Sequence, residues 1–222
     1  MLGIAFSFKL QTVFIIPFFL TYYSVKKDHS IFLYLWTVLV LELSGIPSYL
    51  MGRDISAPFQ IYFFQVGEYK DMWMNTWSFW QFAGDNYGLY SKIAIILTAV
   101  LLGVMMYTYK KKKNGGLKNM EEMLAAAVWM SWTCVVFLPA MHERYAFLTD
   151  LMLLALVFVN KKYLYFVVAA ILGSIIRYGA FFSDVEINSL ELNALYMAFY
   201  FVYTGNMIKK YFREEMNDEK LG

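Results

Sequence analysis

Cysteine is almost absent from this chain of 222 residues: the one copy, Cys134, sits inside an apolar run. An intrachain disulfide and a cysteine-rich metal site are both excluded on that ground. Charge is scarce too. Asp, Glu, Lys and Arg make up 16% of the residues, against about a quarter in a soluble domain. The net charge of +2 is too small to imply a nucleic-acid partner, and the basic residues lie in short clusters. No P-loop, dinucleotide fingerprint or nucleophile elbow occurs. No His-x-x-x-His pair points to a metal. No internal repeat is visible, which removes support for an inverted-repeat transporter. The first apolar run is long, holds Lys9 and lacks a basic leading region, so it reads as a span rather than a cleavable signal.

What is present is apolar: 60% of the residues are hydrophobic and 20% aromatic. A helix needs roughly 20 apolar residues to cross a bilayer core, and helices satisfy their own backbone in lipid. The expected fold is all-α, a single polytopic transmembrane helix bundle over 1–222. About seven spans are read, near 2–25, 31–50, 93–109, 122–140, 145–159, 163–182 and 190–208. The fifth is short and reads as a partial crossing. Thirteen of the 19 basic residues fall in alternate loops: Lys26 and Lys27, Lys110 to Lys113 with Lys118, Lys161 and Lys162, and the cluster from Lys209 to Lys220. By the excess of Lys and Arg in cytoplasmic loops, the N-terminus lies outside and the C-terminus in the cytoplasm of a cell-membrane protein. The tail from Arg213 onward reads as a polar, frayed end.

The ionisable residues within or beside the spans are Lys9, Glu42, Asp150, Arg177 and Glu191. On this topology each lies in the outer half of its helix. The inner halves, such as 13–23, 31–41 and 152–159, are plain hydrocarbon-compatible sequence. Long side chains near helix ends snorkel, which accounts equally well for Lys9 or Arg177. Glu42 and Asp150 are too short for that and favour a polar cavity open to the outside. The longest connection is the outer loop 51–92, with an interfacial helix expected over 58–65. Trp73, Trp77 and Trp80 follow. They form either an aromatic belt at headgroup level or a lid that stacks on a sugar or covers a lipid chain.

Between the fourth and fifth spans stands His142-Glu143-Arg144-Tyr145, directly after Pro139-Ala140-Met141. Three adjacent ionisable side chains are costly near hydrocarbon unless solvated, paired or used. An ordinary solvated turn is one reading. The other is a held outer turn in which Arg144 grips phosphate oxygens with two prongs, His142 donates to phosphate or moves a proton, and Glu143 orients either. Lys9, with Gln11 beside it, and Arg53 are further cations for a lipid phosphate.

Four stretches carry a family resemblance by their order: Ala5-Phe6-Ser7-Phe8-Lys9-Leu10-Gln11, Met51-Gly52-Arg53, Ile61-Tyr62-Phe63-Phe64-Gln65-Val66-Gly67, and the run from Pro139 to Tyr145. Over about 5–160 the chain resembles the C-terminal half of bacterial multi-pass glycosyltransferases of the GT-C class, of the polyprenyl-phosphate-sugar-dependent, mannosyltransferase-like kind. The Met-His-Glu-Arg-Tyr match is its most specific part. The resemblance implies a polyprenyl-phosphate sugar as donor, an active site on the outer face, and an extracytoplasmic acceptor. It implies Lys9, Arg53, His142 and Arg144 as donor phosphate-binding residues, with Gln11, Gln65 and Glu143 orienting. His142 and Glu143 support catalysis.

One departure stands out. Members of the class usually carry an acidic catalytic residue in the first outer loop, and no such loop precedes Lys9. Asp54 and Asp71 lie in the later loop and do not match it. The catalytic base is therefore expected to be absent from this chain, which is expected to be a fragment working with a missing N-terminal half or a partner subunit. No cofactor is expected; a divalent metal is left open. Membrane lipid is a partner and nucleic acid is not. A transporter or flippase of lipid-linked glycans and a non-catalytic membrane assembly subunit are the alternatives.

Overall fold

The computed structural model describes residues 2–57, 59–60, 64, 68–111, 116–185 and 189–220, the side chains of 10, 212 and 214–220 excepted. Helices dominate: α1 (Leu2–Phe8), α2 (Ile16–Lys26), α3 (Leu35–Ser44), α4 (Ile46–Leu50), α5 (Tyr87–Lys111), α6 (Met120–Phe137), α7 (Phe147–Val159), α8 (Leu164–Phe182) and α9 (Leu190–Lys220). Two two-residue strands, β1 (Trp73–Met74) and β2 (Met141–His142), and five short 3₁₀ segments complete the regular structure of the described residues.

Helix α6 is the axis of the molecule. After its acidic first turn it is apolar on every face but for Ser131 and Thr133, and every residue from Ala125 to Phe137 is buried, as a helix without a polar face must be. Asn119 caps it, its side chain accepting from the Glu122 N–H at 2.9 Å, and Glu121 and Glu122 meet the positive end of its dipole. Against it pack α2, α5, α7 and α9. Trp132 lies at the centre, its ring 5.7–5.8 Å from those of Tyr196, Tyr200 and Tyr203 on one face of α9.

Among the described residues four helical stretches are long and apolar enough to cross a membrane: Ile31–Leu50, Tyr87–Lys111, Met120–Phe137 and Lys161–Phe182. The other three expected spans differ from a simple crossing. The stretch 2–25 is broken. Lys9 is extended at φ −152° and ψ 131°, a 3₁₀ segment Leu10–Ile15 follows, and Pro17 restarts the helix in the first turn of α2, where its missing N–H costs nothing. Helix α1 leaves the bundle to lie on α3, and Gly3 makes the approach possible: a Cβ there would sit 2.8 Å from Val40 Cβ. Helix α7 has 13 residues, about 20 Å of rise, short of the roughly 30 Å core. The expected span 190–208 is the first part of a single 31-residue helix, and the tail read as frayed continues it to Lys220.

The aromatic loop is a correction. Trp77 and Trp80 are neither a headgroup belt nor a lid; both are buried, at 4% exposure. The segment folds back into the bundle and closes the C-terminal end of α6, whose last carbonyls have no helical partner. Trp80 Nε1 donates to the Phe137 carbonyl at 2.6 Å and Ser78 Oγ to that of Val136 at 3.3 Å. Asn193 of α9 holds the same loop from the other side. It accepts from Ser78 N–H at 3.1 Å and donates to Ser78 carbonyl at 3.0 Å. Trp77 Nε1 donates to the Gly173 carbonyl at 3.0 Å. The connection is also shorter than expected, since α5 begins at Tyr87. Of the expected interfacial helix, residues 59, 60 and 64 are helical; Gln65 lies outside the described residues.

Candidate functional site: a cationic cavity beside an apolar groove

The turn that follows α6 is fastened to the aromatic loop by backbone. Ala140 takes the left-handed conformation, φ 57°, which a residue with a Cβ seldom adopts. Its N–H is shared between the Asp71 and Met72 carbonyls, at 3.2 and 3.1 Å. Then β2 pairs with β1 in parallel, Trp73 opposite Met141 and Met74 opposite His142. The next four residues, Glu143–Ala146, are 3₁₀ and lead directly into α7. The solvated-turn reading of His142-Glu143-Arg144 is overturned for its first two members, which are buried at 7% and 4% exposure.

Side-chain directions follow from that frame. The His142 ring packs edge-on against Tyr69 and Tyr145, centroids 4.4 and 5.2 Å away. Its Nε2 is buried without a hydrogen-bond partner. Burial pushes its proton affinity below the ordinary imidazole value; Arg144 adds to this and Glu143 opposes it. Glu143 lies between its neighbours, 3.9 Å from His142 Nδ1 and 3.5 Å from Arg144 Nη1.

Arg144 reaches a cavity of about 840 Å³. Lys9 and Arg53 line the same cavity, together with Gln11. Three cations far apart in sequence are thus gathered by the break after α1, the exit from α4 and the turn before α7. Gln11 Oε1 is buried there without a partner, an arrangement that costs about 1–3 kcal/mol and calls for an occupant or a role. His142 and Glu143 do not line the cavity; they stand behind Tyr145 and Arg144, which do. Of the outer-half set, only Lys9 lines it. Asp150 accepts from Ser174 Oγ at 2.5 Å inside the bundle. Arg177 lies under the Trp77 ring, 3.5 Å from its centroid. Glu191 accepts from Ser189 Oγ at 2.9 Å.

Among the lining residues that the sequence did not single out, two bear most on the chemistry. Glu68 is the one carboxylate among the described residues of the wall. It stands in a run of loop polars, Glu68-Tyr69-Lys70-Asp71, with no local pattern to set it apart. Three cations against one carboxylate leave the wall with an excess of two positive charges. Tyr49 is the other. It lines the cavity and also a groove of about 550 Å³ formed with Glu42, Leu43, Ile46, Ile55 and Phe59. Its hydroxyl donates to Glu42 Oε2 at 2.7 Å, and its ring crosses Gly45, where a Cβ would come within 2.4 Å of the hydroxyl oxygen. A Gly-x-x-x-Tyr spacing on one helix face carries that signal, but it is common in apolar helices.

Among the described residues no group of three or more His, Cys, Asp or Glu side chains could hold a metal ion. No family model matches the chain, and no curated protein or solved structure does.

Proposed function

We propose that the protein is a multi-pass membrane glycosyltransferase. It has about seven spans, α7 being a partial crossing, with the N-terminus outside, and transfers a sugar from a polyprenyl-phosphate donor to an extracytoplasmic acceptor. The observation that carries the reading is the joining of two environments at Tyr49: a cavity with an excess of positive charge and an apolar groove beside it. A lipid-linked phosphate needs both. Lys9, Arg53 and Arg144 neutralise the phosphate, and the chain runs over Tyr49 along α3 and α4, whose outward residues such as Leu35, Leu43 and Leu50 are exposed. A free sugar phosphate would have no use for the groove.

Glu68, on the cavity wall, takes the role of general base that the resemblance expects this chain to lack. The acceptor hydroxyl gives its proton to the Glu68 carboxylate as its oxygen bonds to the anomeric carbon. The bond from that carbon to the phosphate oxygen breaks, and the electron pair leaves with the lipid phosphate, which the three cations stabilise. A flippase would need a polar path from face to face, whereas the buried heart of α6 is apolar but for Ser131 and Thr133, whose hydroxyls donate to carbonyls of their own helix.

The test uses the full chain in nanodiscs with a polyprenyl-phosphate sugar. Lys9→Gln with Arg53→Gln should abolish donor binding and transfer together. Glu68→Gln should keep binding and lose transfer by at least about a hundredfold, the range of general-base contributions. Unchanged binding in the double variant would sink the donor site. A parent that binds donor and transfers nothing points to the non-catalytic assembly subunit.

A further inference from the structure

A second charged cavity lies at the other end of α6, away from the proposed active site. It has a volume of about 470 Å³ between the start of α8 and the later turns of α9. Its inner wall is aromatic: Tyr163, Phe166 and Tyr203 are buried, with the Phe166 and Tyr203 rings edge-on at 5.1 Å. Its rim is basic: Lys162, Lys209, Lys210 and Arg213. No carboxylate lines it among the described residues. The first turn of α6 supplies the nearest ion pairs, Glu121 Oε1 at 2.5 Å from Lys162 Nζ and Glu122 Oε1 at 3.3 Å from Lys210 Nζ. Among the described side chains, two carboxylates beside four cations leave an excess of two positive charges, carried by Lys209 and Arg213. These are four residues apart on α9 and so share a face.

We propose that this cavity is a site for an anionic membrane phospholipid, with the phosphate between Lys209 and Arg213 and the first part of an acyl chain against Tyr163 and Phe166. Several features favour that occupant. The cavity combines a charged rim with an apolar floor, the two halves of an amphiphile. It sits where Lys161–Phe182, apolar enough to cross a membrane, begins. Lys26, Lys27 and Lys118 belong to the same set of basic loops, so by the charge rule this face meets the anionic leaflet. A free phosphate would use the rim alone.

The experiment takes the full chain in detergent and measures retention of added lipid by native mass spectrometry and the thermal unfolding midpoint. The probes are phosphatidylglycerol, phosphatidylcholine and inorganic phosphate. Phosphatidylglycerol should be retained and should raise the midpoint, while the other two should do neither. Lys209→Gln with Arg213→Gln removes two exposed side chains and should weaken retention about thirtyfold, each basic residue near a lipid surface contributing about fivefold. Lys26→Gln with Lys27→Gln removes the same charge from the same face outside the cavity and should leave retention unchanged. Equal loss in the two double variants would reduce the effect to general surface charge and overturn the site. Equal retention of both lipids would overturn it as well, and a midpoint raised by inorganic phosphate alone would assign the rim to a free anion. None of these readouts depends on glycosyl transfer, so the proposal stands or falls apart from the active site.

Discussion

At the scale of single residues, the cavity wall sets Lys9, Arg53 and Arg144 against one described carboxylate, Glu68. Lys9, Arg53 and Arg144 stand out because a charge beside an apolar run needs a reason, and all three line one cavity. Glu68 sits among loop polars where a charge needs none, so only the fold picks it out. Arg144 separates a gripping role from a merely positive one. Arg144→Lys keeps the charge and loses the planar fork. Losing one charge-assisted hydrogen bond of roughly 1.5–3 kcal/mol should weaken donor-lipid binding about ten- to a hundredfold. Lys70→Ala, an exposed loop lysine off the cavity wall, should be silent. Equal affinity of Arg144→Lys and the parent would reduce Arg144 to a point charge. His142 makes a different prediction. Its folded form resists protonation, so between the depressed native value and the ordinary value of about 6.5 the unfolded chain binds more protons. The stability it contributes is complete above that ordinary value and is lost as pH falls below it. The thermal midpoint in detergent should drop on acidification from about pH 7.5 to about pH 5.5, and His142→Gln should flatten that part of the profile. An unchanged profile would mean that other groups set the acid limit.

At the scale of elements, sequence gave the apolar helices and misplaced the aromatics between them. Tryptophan is equally at home at a headgroup interface and against a buried backbone carbonyl, and nothing in Trp77-Ser78-Phe79-Trp80 chooses between the two. What decides is the unsatisfied C-terminal end of α6, a partner no local pattern can reveal. The break after α1 was hidden for a related reason, since 2–25 is continuous in hydropathy and only packing on α3 at Gly3 draws α1 aside. The structural role of the loop is testable. Trp80→Phe keeps the ring bulk and removes the Nε1 donor to the Phe137 carbonyl. A buried carbonyl left alone costs about 1–3 kcal/mol, so the thermal midpoint should fall clearly. Because the loop carries β1, which fixes His142, donor affinity should fall with it. A variant with parental stability would mean that the Nε1 hydrogen bond to Phe137 contributes nothing to closing the end of α6.

At the scale of the whole molecule, the two charged cavities lie at opposite ends of α6, and the alternation of basic loops ranks the ends. Lys26, Lys27, Lys118, Lys161 and the second cavity fall on one side; Asp71, Arg53, Arg144 and the first cavity fall on the other. That ranking rests on Lys and Arg counts, which survive uncertainty in every span boundary. Partial elements do not disturb it: the short α7 and the broken 2–25 stretch each still separate a basic loop from a loop poor in Lys and Arg. The consequence can be measured with single cysteines in a Cys134→Ala background, Cys134 being buried. Asp71 and Lys118 are both exposed. Asp71→Cys should react with an impermeant thiol reagent on intact cells, and Lys118→Cys only after permeabilisation. The reverse result would put the cationic cavity in the cytoplasm. An extracytoplasmic acceptor could not then reach Glu68, and the anionic-lipid site would face the leaflet poorer in anionic lipid. One labelling experiment therefore bears on both cavities, through the single orientation they share.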